Sequence, residues 1–524
     1  MAIRDESFSI AACVAAHARS FPDRVAVDEI APPGSQRLGT VAYGDVKQRW
    51  TYADLWQRTE AIAAALTPVE PGRHGPMVGV MLPNGADHIV AYLACQLIGA
   101  AAVPINTQLT SPEIDFILSD SGASVLLTSD PFLDTAGELG ADVIIVDAAA
   151  IEPVGERDAP PLSEALGEHA RNRLAVIAYT SGTTGFPKGV IVRNSDLLDR
   201  SAQWAWTFGL SPTQVLSTPG PIYHMSYGGL SLAHLVAGGY NRVLTEFDAT
   251  FALTEYAEHS SWVFLVPSMT AMINEAWRGA GGPVMGRLEV VLSSGAPGPT
   301  ALLDAAFDMF PTAAIVEAYG WTEGGWVTYE HKDRNAIVPH CVGWPMMRSA
   351  VALLDDDDQP CQVGEPGEVV ARPLTPFHGY LGRDDATRAA ATSDGYCRSG
   401  DVGILLPDGR LTIVDRLKDM IISGGENVYC AEVERVLAEA PGVNQVAVFG
   451  LPDDRWGERV TAAVVLDTGA DMPVDELMAY ARANLAGYKA PKEFHIVDEL
   501  PRNSMGKVQK FTLVETLSSA PASG

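Results

Sequence analysis

Cysteine is scarce in this sequence and shows no pattern. Six cysteines are spread over 524 residues, without a CxxC pair and without a pair of histidines close by. They are Cys13, Cys95, Cys341, Cys361, Cys397 and Cys430. Zinc sites and disulfide frameworks need closely or regularly spaced cysteines, so the sequence predicts neither. We expect reduced thiols and a cytoplasmic protein.

Positive charge is also in short supply. The chain has 36 lysines and arginines against 65 aspartates and glutamates, which gives a formal net charge of −29. A chain of this charge repels nucleic acids and anionic membrane surfaces, so neither is expected as a partner. A polyphosphate ligand would have to be held by local hydrogen-bond donors.

Long hydrophobic runs are missing as well. Residues 1–6 contain no apolar signal core. The most apolar segment, residues 86–105, contains Asp87, His88 and Gln96 and has Pro104 near its end. It is too polar to span a membrane and predicts a buried helix that leads to a strand. We expect no membrane span.

Predicted strands alternate with predicted helices along most of the chain, a pattern typical of parallel βαβ units. From about residue 351 short alternating strands dominate, and a compact unit follows residue 415. We predict an α/β fold, α+β overall. Its parts are a large N-terminal domain of βαβ-type sheets with a β-rich subdomain (1–415), a small α+β domain (416–514) and a disordered tail (515–524).

A segment rich in glycine and hydroxyl residues follows the apolar run at residues 174–178. It reads YTSGTTGFPKGV over residues 179–190. Glycines let the backbone approach a ligand, and amide and hydroxyl groups are donors for phosphate oxygens. It is not a Walker A loop, because Pro187 and Gly189 stand where that motif needs glycine and serine or threonine. The segment predicts a phosphate-binding loop, with a surface turn as the alternative.

Three further predicted strands, residues 215–218, 288–292 and 315–318, lead into polar turns that contain glycine. Ligands of α/β sheets bind at the carboxyl ends of strands, so these turns are expected to converge on one crevice.

These turns match, in order and spacing, the motifs of the adenylate-forming superfamily. The chain resembles its acyl-CoA synthetase (AMP-dependent ligase) branch from Phe21 to about Val514. The resemblance implies a mobile C-terminal domain with a hinge near Lys418. It also implies the reaction: ATP activates a carboxylic acid to an acyl-adenylate with release of pyrophosphate, and CoA then accepts the acyl group with release of AMP.

The resemblance further implies ATP, Mg²⁺ and CoA as ligands. Residues 180–188 would cradle the β- and γ-phosphates, Tyr319 would stack on adenine, and Asp401 and Arg416 would bind ribose. The nucleotide-binding residues it implies are Thr180, Ser181, Gly182, Thr183, Thr184, Gly185, Lys188, Ser294, Gly295, Ala296, Pro297, Ala318, Tyr319, Gly320, Asp401 and Arg416. The pantetheine channel it implies is lined by Ser423, Gly424 and Gly425.

The catalytic groups follow from the same resemblance. Lys507 would bridge the substrate carboxylate and the α-phosphate, offsetting charge as two anions meet. Glu323 would hold Mg²⁺, which prefers carboxylate oxygen, and Thr322 would contact phosphate. His224 falls where relatives place a gate beside the acyl pocket. Surface roles for Lys507 and Glu323 and a core role for His224 are the alternatives.

The implied acyl pocket is rich in rings. Its residues are Tyr223, His224, Met225, Tyr227, Gly320 and Trp321, and Trp204 and Trp206 lie on the helix after the phosphate loop. Such rings suit an aromatic or cyclic acid, and Trp321 is expected to shorten the pocket against long fatty acids. The alternative is that several of these rings only pack the core. Arg242 could instead pair a second substrate carboxylate.

The acceptor is less well defined by the sequence than the activation step. An adenylating enzyme of the same fold with a carrier-protein thiol, an amine or another small nucleophile as acceptor is the chief alternative to a CoA ligase. A luciferase-like oxidase and an ATP-binding scaffold are the others; the scaffold is disfavoured because the implied catalytic residues are all present. A homodimer is one assembly compatible with the sequence.

Lys507→Ala should cripple adenylation and spare thioester formation from supplied acyl-adenylate. Removing a group that stabilises developing charge in the transition state typically lowers the rate on the order of 10²–10³-fold. Pyrophosphate exchange and single-turnover thioester formation measure the two steps. Equal reductions in both steps would contradict the assigned role.

Gly425→Leu is the counterpart variant for the other half-reaction. A bulky side chain in the implied pantetheine channel should block CoA more than pyrophosphate exchange. If pyrophosphate exchange decreased as much as thioester formation, the assignment of Gly425 to the pantetheine channel would be wrong.

Overall fold

The computed structural model describes most of the chain. The described ranges are residues 9–32, 46–66, 69–140, 143–152, 171–180, 187–296, 298, 300–423, 426–453, 455–470, 472–502 and 508–518.

One sheet carries the segment that precedes the phosphate loop. Its strand order is β7-β6-β4-β5-β8-β9, with β3 paired to β4. The strands are β3 Pro71–Gly72, β4 Gly75–Met81, β5 Ala101–Pro104, β6 Val125–Thr128, β7 Ile144–Asp147, β8 Leu174–Thr180 and β9 Lys188–Arg193. Neighbours from β7 to β8 are parallel, whereas β8 and β9 are antiparallel. The strands on either side of the predicted phosphate loop are therefore antiparallel neighbours, and β9 is a strand that the sequence did not predict.

The larger sheet has thirteen strands within the described residues, in the order β17-β18-β19-β20-β16-β15-β14-β13-β12-β10-β11-β1-β2. One half contains β1 Val25–Ile30, β2 Val46–Thr51, β10 Val215–Thr218, β11 Tyr240–Leu244, β12 Trp262–Leu265, β13 Val290–Ser293, β14 Ala314–Trp321 and β15 Gly325–His331. The other half contains β16 Cys341–Pro345, β17 Ala350–Leu354, β18 Pro366–Arg372, β19 Cys397–Leu405 and β20 Leu411–Arg416. This second half is antiparallel throughout and corresponds to the predicted β-rich subdomain.

Helices connect the strands of the N-terminal region. They are α1 Ile10–Ser20, α2 Tyr52–Ala65, α3 Ala86–Ile98, α4 Ser111–Ser121, α5 Leu133–Gly137, α6 Asn194–Phe208, α7 Met225–Val236, α8 Ala249–Glu258, α9 Pro267–Gly279, α10 Thr300–Met309 and α11 Asp384–Ala389. Their ends follow local chemistry: Thr51 and Asp54 form a reciprocal capping box at the start of α2. Gly99 ends α3 with φ 73°, a left-handed conformation that glycine adopts without strain.

The C-terminal region has its own sheet, in the order β22-β21-β24-β23 with β25 paired to β24. Its elements are β21 Ile421–Ser423, β22 Glu426–Val428, α12 Cys430–Ala438, β23 Val443–Asp453, β24 Gly457–Leu466, α13 Val474–Asn484, β25 Glu493–Ile496 and α14 Lys510–Ser518. The α/β fold with a large and a small domain is confirmed. Lys418 lies in a short 3₁₀ turn, Leu417–Asp419, just after β20, and the hinge there and the limits 1–415 and 416–514 stay predictions.

The predicted disorder after residue 514 is wrong for residues 515–518. Helix α14 continues to Ser518 because Leu513 is buried and Leu517, one turn later, packs into the same apolar cluster. That cluster includes Phe449 of β23 and Ala463 of β24. The remainder of the predicted tail, residues 519–524, lies outside the described residues.

The apolar segment at residues 86–105 is the buried helix and strand that the sequence predicts. Nearly all of α3 is buried, and β5 is buried throughout. Among the helices that the structure describes, we find none that combines the length and apolar character of a membrane span.

The buried histidines predict acid sensitivity. Burial lowers the pKa of His88 on α3 to about 4. Since the unfolded chain binds this proton near pH 6.5 and the folded chain does not, stability should fall as the pH drops from about 6.5 towards 4. The loss is about 1.4 kcal/mol per pH unit within that window. His88→Gln should show a smaller fall in thermal midpoint between pH 7 and pH 5.5 than the unsubstituted protein.

His259→Gln is the matched control, because the side chain of His259 is 41% exposed. It should keep the pH dependence of the unsubstituted protein. Identical pH dependence in the His88 and His259 variants would contradict the assignment.

Candidate active site

Four parallel strands end at the same edge of the large sheet. Strand β12 lies between β10 and β13, and β13 pairs in parallel with β14. The turns that follow β10, β13 and β14 therefore meet at one edge, as the sequence predicts.

Asp401 is the centre of one corner of this site. It is 6% exposed, its Oδ2 accepts from the Tyr319 hydroxyl at 2.7 Å, and its Oδ1 lies 3.1 Å from Arg416 Nε. The preceding Gly400 has φ 70°, and the Asp401 amide donates to Ser399 Oγ at 3.0 Å. The structure thus brings together three residues that the resemblance assigns to adenosine.

The Tyr319 hydroxyl keeps its proton and donates it in the hydrogen bond to Asp401. Burial and then the adjacent Asp401 carboxylate raise the pKa of Tyr319 well above its ordinary value. Each oxygen of Asp401 has two lone pairs, so the carboxylate can accept further hydrogen bonds beside those from Tyr319 and Arg416.

Glu323 follows the end of β14 and is half-buried. Its Oε1 accepts a 2.6 Å hydrogen bond from the Tyr380 hydroxyl, and its backbone carbonyl accepts from Arg200 at 3.3 Å. The ammonium of Lys188 lies over the Tyr380 ring, 5.2 Å from its centroid. Lys188 is the first residue of β9 and is paired with Thr180 at the end of β8.

Close backbone approach explains the glycines of this edge. A Cβ on Gly320 would lie 1.9 Å from the Gly325 carbonyl oxygen. Gly295 has φ 95°, which side chains rarely adopt. Beside it, the buried Ser294 accepts a 3.0 Å hydrogen bond from Trp326 Nε1, so its hydroxyl is held by the core. Ala296 follows in this turn, and Ala318 is buried within β14.

The predicted acyl gate lies just before α7. His224 precedes the first residue of that helix, and the ring centroids of Tyr223 and His224 are 4.6 Å apart. The Nε2 atom of His224 is buried without a hydrogen-bond partner among the described residues, and burial lowers the pKa of this imidazole to about 4. A neutral ring with one unmatched nitrogen is suited to contact a ligand. Met225, next along the chain, packs against the core.

Two residues that the sequence reasoning missed anchor this loop. Asn84 Nδ2 donates to the Gly220 carbonyl at 2.8 Å, and its Oδ1 accepts from the Ile222 amide at 2.9 Å. The Tyr92 hydroxyl donates to the Ile222 carbonyl at 3.2 Å. These contacts join positions about 130 residues apart, so no local pattern could have revealed them.

Several of the predicted pocket rings belong to the core. Trp204 is buried, with its ring centroid 4.5 Å from that of Trp326, whereas Trp206 is 77% exposed. Tyr227 is buried against Phe264. Trp321 remains half-buried, and its ring centroid is 5.7 Å from that of Tyr319.

Arg242 is not available to a substrate carboxylate. It is buried on β11 and makes two hydrogen bonds to Glu255, at 2.6 and 2.9 Å. A further contact of 3.3 Å joins it to Asp28. The suggestion that it could pair a second carboxylate of the substrate is therefore wrong.

Nine predicted site residues lie outside the described residues: Ser181, Gly182, Thr183, Thr184, Gly185, Pro297, Gly424, Gly425 and Lys507. Ser423 is described and is buried at the end of β21. Thr322 is half-buried beside Glu323.

Two family models match the chain. The AMP-binding enzyme model matches residues 14–381, and the AMP-binding enzyme C-terminal domain model matches residues 432–507. A feruloyl-CoA synthase of Amycolatopsis sp is 35% identical over 465 residues, 88% of this chain and 92% of that protein. The long-chain-fatty-acid–CoA ligase FadD13 of Mycobacterium tuberculosis is 34% identical over 510 residues, 93% of this chain and 96% of its own.

Solved structures share the fold. The amide bond synthetase McbA from Marinactinospora thermotolerans aligns with a TM-score of 0.82 at 27% identity, over 96% of this chain and 99% of that one.

Asn84→Ala should loosen the loop that carries His224. The substitution removes the acceptor of the Ile222 amide, so that amide should exchange with solvent faster. Hydrogen–deuterium exchange of a peptide covering residues 219–226 measures the effect.

Asn241→Ala is the matched control. Asn241 is also buried, and its side-chain amide donates to the Ser231 carbonyl at 3.1 Å, within α7 and outside the loop that Asn84 contacts. Equal exchange of residues 219–226 in both variants would contradict the anchoring role of Asn84.

Proposed function

The chain belongs to the AMP-binding enzyme family, in the acyl-CoA synthetase branch of the adenylate-forming superfamily, and from this premise we propose which residues carry each step of its reaction. The enzyme is an AMP-forming acid–thiol ligase. A carboxylate oxygen attacks the α-phosphorus of ATP and pyrophosphate leaves; the CoA thiolate then attacks the acyl carbon and AMP leaves. The contacts that Tyr319 and Arg416 make with the buried Asp401 are the observation that carries the proposal.

In the first step, this trio binds the adenosine. Tyr319 offers a ring to the base, and Asp401 accepts from the vicinal ribose hydroxyls beside its contact with Arg416. The loop of residues 180–188 and Thr322 donate to the phosphates. Lys507 approaches the carboxylate and the α-phosphate and offsets the charge that accumulates between them.

Glu323 is the residue that would hold Mg²⁺. Within the described ranges no three histidine, cysteine or acidic side chains cluster as a ready-made metal site. Mg²⁺ bound with a nucleotide needs only one or two protein carboxylates, because phosphates and water supply its other ligands. The single half-buried carboxylate of Glu323 fits that requirement. When bound, the cation would neutralise charge on the phosphate oxygens.

In the second step, residues 423–425 line the path of the pantetheine arm. CoA is the acceptor that the branch implies. An amine acceptor is the second candidate, because the amide bond synthetase McbA shares the fold over 96% of this chain. We place the enzyme in the cytoplasm, consistent with six free cysteines, and a homodimer stays a prediction.

The acyl group is a compact aromatic or cyclic carboxylate. The relatives do not decide the matter, since a feruloyl-CoA synthase and a long-chain-fatty-acid–CoA ligase are 35% and 34% identical to this chain. The support comes from Trp321, a half-buried indole next to Tyr319, and from the neutral His224. Rings pack favourably on other rings, by about 0.5–1.5 kcal/mol beyond area burial.

A panel of acids tests both the reaction and the acyl group. With CoA, ATP and Mg²⁺, we expect acyl-CoA, AMP and pyrophosphate by mass spectrometry, and acyl-adenylate when CoA is omitted. Cinnamate- or benzoate-type acids should have higher kcat/KM than C12–C16 fatty acids. A smaller residue at the pocket floor, Trp321→Ala, should move this preference towards longer chains.

Trp206→Ala is the control, because Trp206 is exposed on α6. It should leave the acid preference unchanged. A preference of the unsubstituted enzyme for fatty acids would overturn the assignment of Trp321, and acyl transfer to an amine in place of CoA would favour the second acceptor.

A further inference from the structure

Tyr380 touches both charged groups of the site with different parts of one phenol. Its hydroxyl donates to Glu323 Oε1 at 2.6 Å, and its ring face lies under the Lys188 ammonium at 5.2 Å. A cation on a ring face is attracted by the ring quadrupole within about 6 Å. The tyrosine therefore holds a carboxylate at its edge and an ammonium on its face.

Backbone contacts fix the tyrosine relative to Lys188. Tyr380 forms an antiparallel bridge with Val190 on β9. The Leu381 amide donates to the Gly189 carbonyl at 2.8 Å, and the Ile191 amide donates to the Gly379 carbonyl at 3.1 Å. The segment 379–381 is thus joined to the edge strand that begins with Lys188.

A second tie joins the same region to Glu323. Arg200 Nε donates to Thr375 Oγ1 at 2.7 Å, and its Nη2 donates to the Glu323 carbonyl at 3.3 Å. The surrounding backbone and the half-buried Arg200 therefore fix the segment of Tyr380 relative to Glu323.

Lys188 and Glu323 make no ion pair with each other in the part of the chain that the structure describes. A lysine stem is long and flexible, and an ammonium that reached a nearby carboxylate would neutralise it. Among the described residues, Glu323 Oε2 and the Lys188 ammonium accept or donate no side-chain hydrogen bond and form no ion pair, so one carboxylate oxygen and the ammonium hydrogens are open to a ligand. This arrangement keeps a cation for phosphate and an anion for metal side by side.

We infer that Tyr380 is a positioning residue that holds the phosphate-loop lysine and the metal-binding glutamate apart, so that both remain free for a magnesium–nucleoside triphosphate. The inference rests on the proposed function for Lys188 and Glu323. The hydroxyl orients the carboxylate for Mg²⁺, and the ring keeps the ammonium from pairing with it. Tyr380 itself takes no part in bond making.

Two substitutions separate the hydroxyl from the ring. Tyr380→Phe keeps the ring and removes the hydrogen bond to Glu323. The affinity for Mg²⁺ in the presence of ATP should therefore fall by about 10- to 100-fold, because the removal of a group that orients a metal ligand usually has an effect of this size. ATP binding in EDTA should change less than about threefold, since the ring that supports Lys188 is kept. Tyr380→Leu also removes the ring, so ATP binding in EDTA should weaken as well. Calorimetric titrations without the acid measure both affinities in the absence of turnover.

Tyr240→Phe is the matched control, since the Tyr240 hydroxyl donates to the Asp28 carboxylate at 2.5 Å on β1 and β11. It should leave both affinities unchanged, and its thermal midpoint shows what the removal of a tyrosine–carboxylate hydrogen bond does to stability alone. Comparable midpoints for the Tyr240 and Tyr380 variants exclude a folding defect as the cause.

Glu323→Gln completes a double-mutant cycle. If Tyr380 acts through Glu323, adding Tyr380→Phe to Glu323→Gln should cause no further decrease in Mg²⁺ affinity. Unchanged Mg²⁺ affinity in Tyr380→Phe, or an additive decrease in the double variant, would overturn the inference. Failure of the unsubstituted protein to bind ATP would instead remove the proposed function, so the two failures are distinguishable.

Discussion

The buried carboxylate of Asp401 ties the two halves of the large sheet together at the ligand edge. It accepts from Tyr319 on β14 at 2.7 Å, and Arg416 at the end of β20 lies 3.1 Å away. A buried carboxylate without partners would be costly, so it needs both. Because the parallel strands and the antiparallel subdomain contribute one partner each, the adenosine corner exists only when both halves have folded. Strand β20 leads directly into the turn that contains Lys418, the predicted hinge residue.

Close backbone packing gives the site its shape. At Gly320 no side chain fits against the Gly325 carbonyl, and the hairpin of β14 and β15 turns just after it, at residues 322–324. The turn sends Glu323 towards the loop around Tyr380, while Tyr319, four residues earlier, faces Asp401. One short segment therefore serves the nucleoside end and the metal end of the ligand. This is why its glycines, its tyrosine and its glutamate occur together in the sequence.

Local patterns in the sequence are sufficient to predict the fold and the edge of the sheet where the ligand binds. The order of strands and turns indicates the fold and the ligand edge, and the motif residues Tyr319, Asp401 and Arg416 do meet in space. The burial of Trp204 and the exposure of Trp206 were predictable in principle, since positions two apart on a helix lie on nearly opposite faces. Leu513 and Leu517, four apart, likewise carried the signal for a helix beyond residue 514. The contacts of Asn84 and Tyr380 carried no such signal, because their partners are 57 to 192 residues away.

In so acidic a chain, the environment of the Lys188 ammonium is unusual. In a chain of net charge −29, many of the described arginines and lysines pair with a carboxylate, as Arg242 does with Glu255 and Arg416 with Asp401. Lys188 rests on a ring instead. A ring attracts the ammonium and leaves its N–H groups free to donate, whereas a carboxylate would neutralise the charge and accept hydrogen bonds from those groups. An acidic protein can thus keep a cation available for polyphosphate by resting it on an aromatic face.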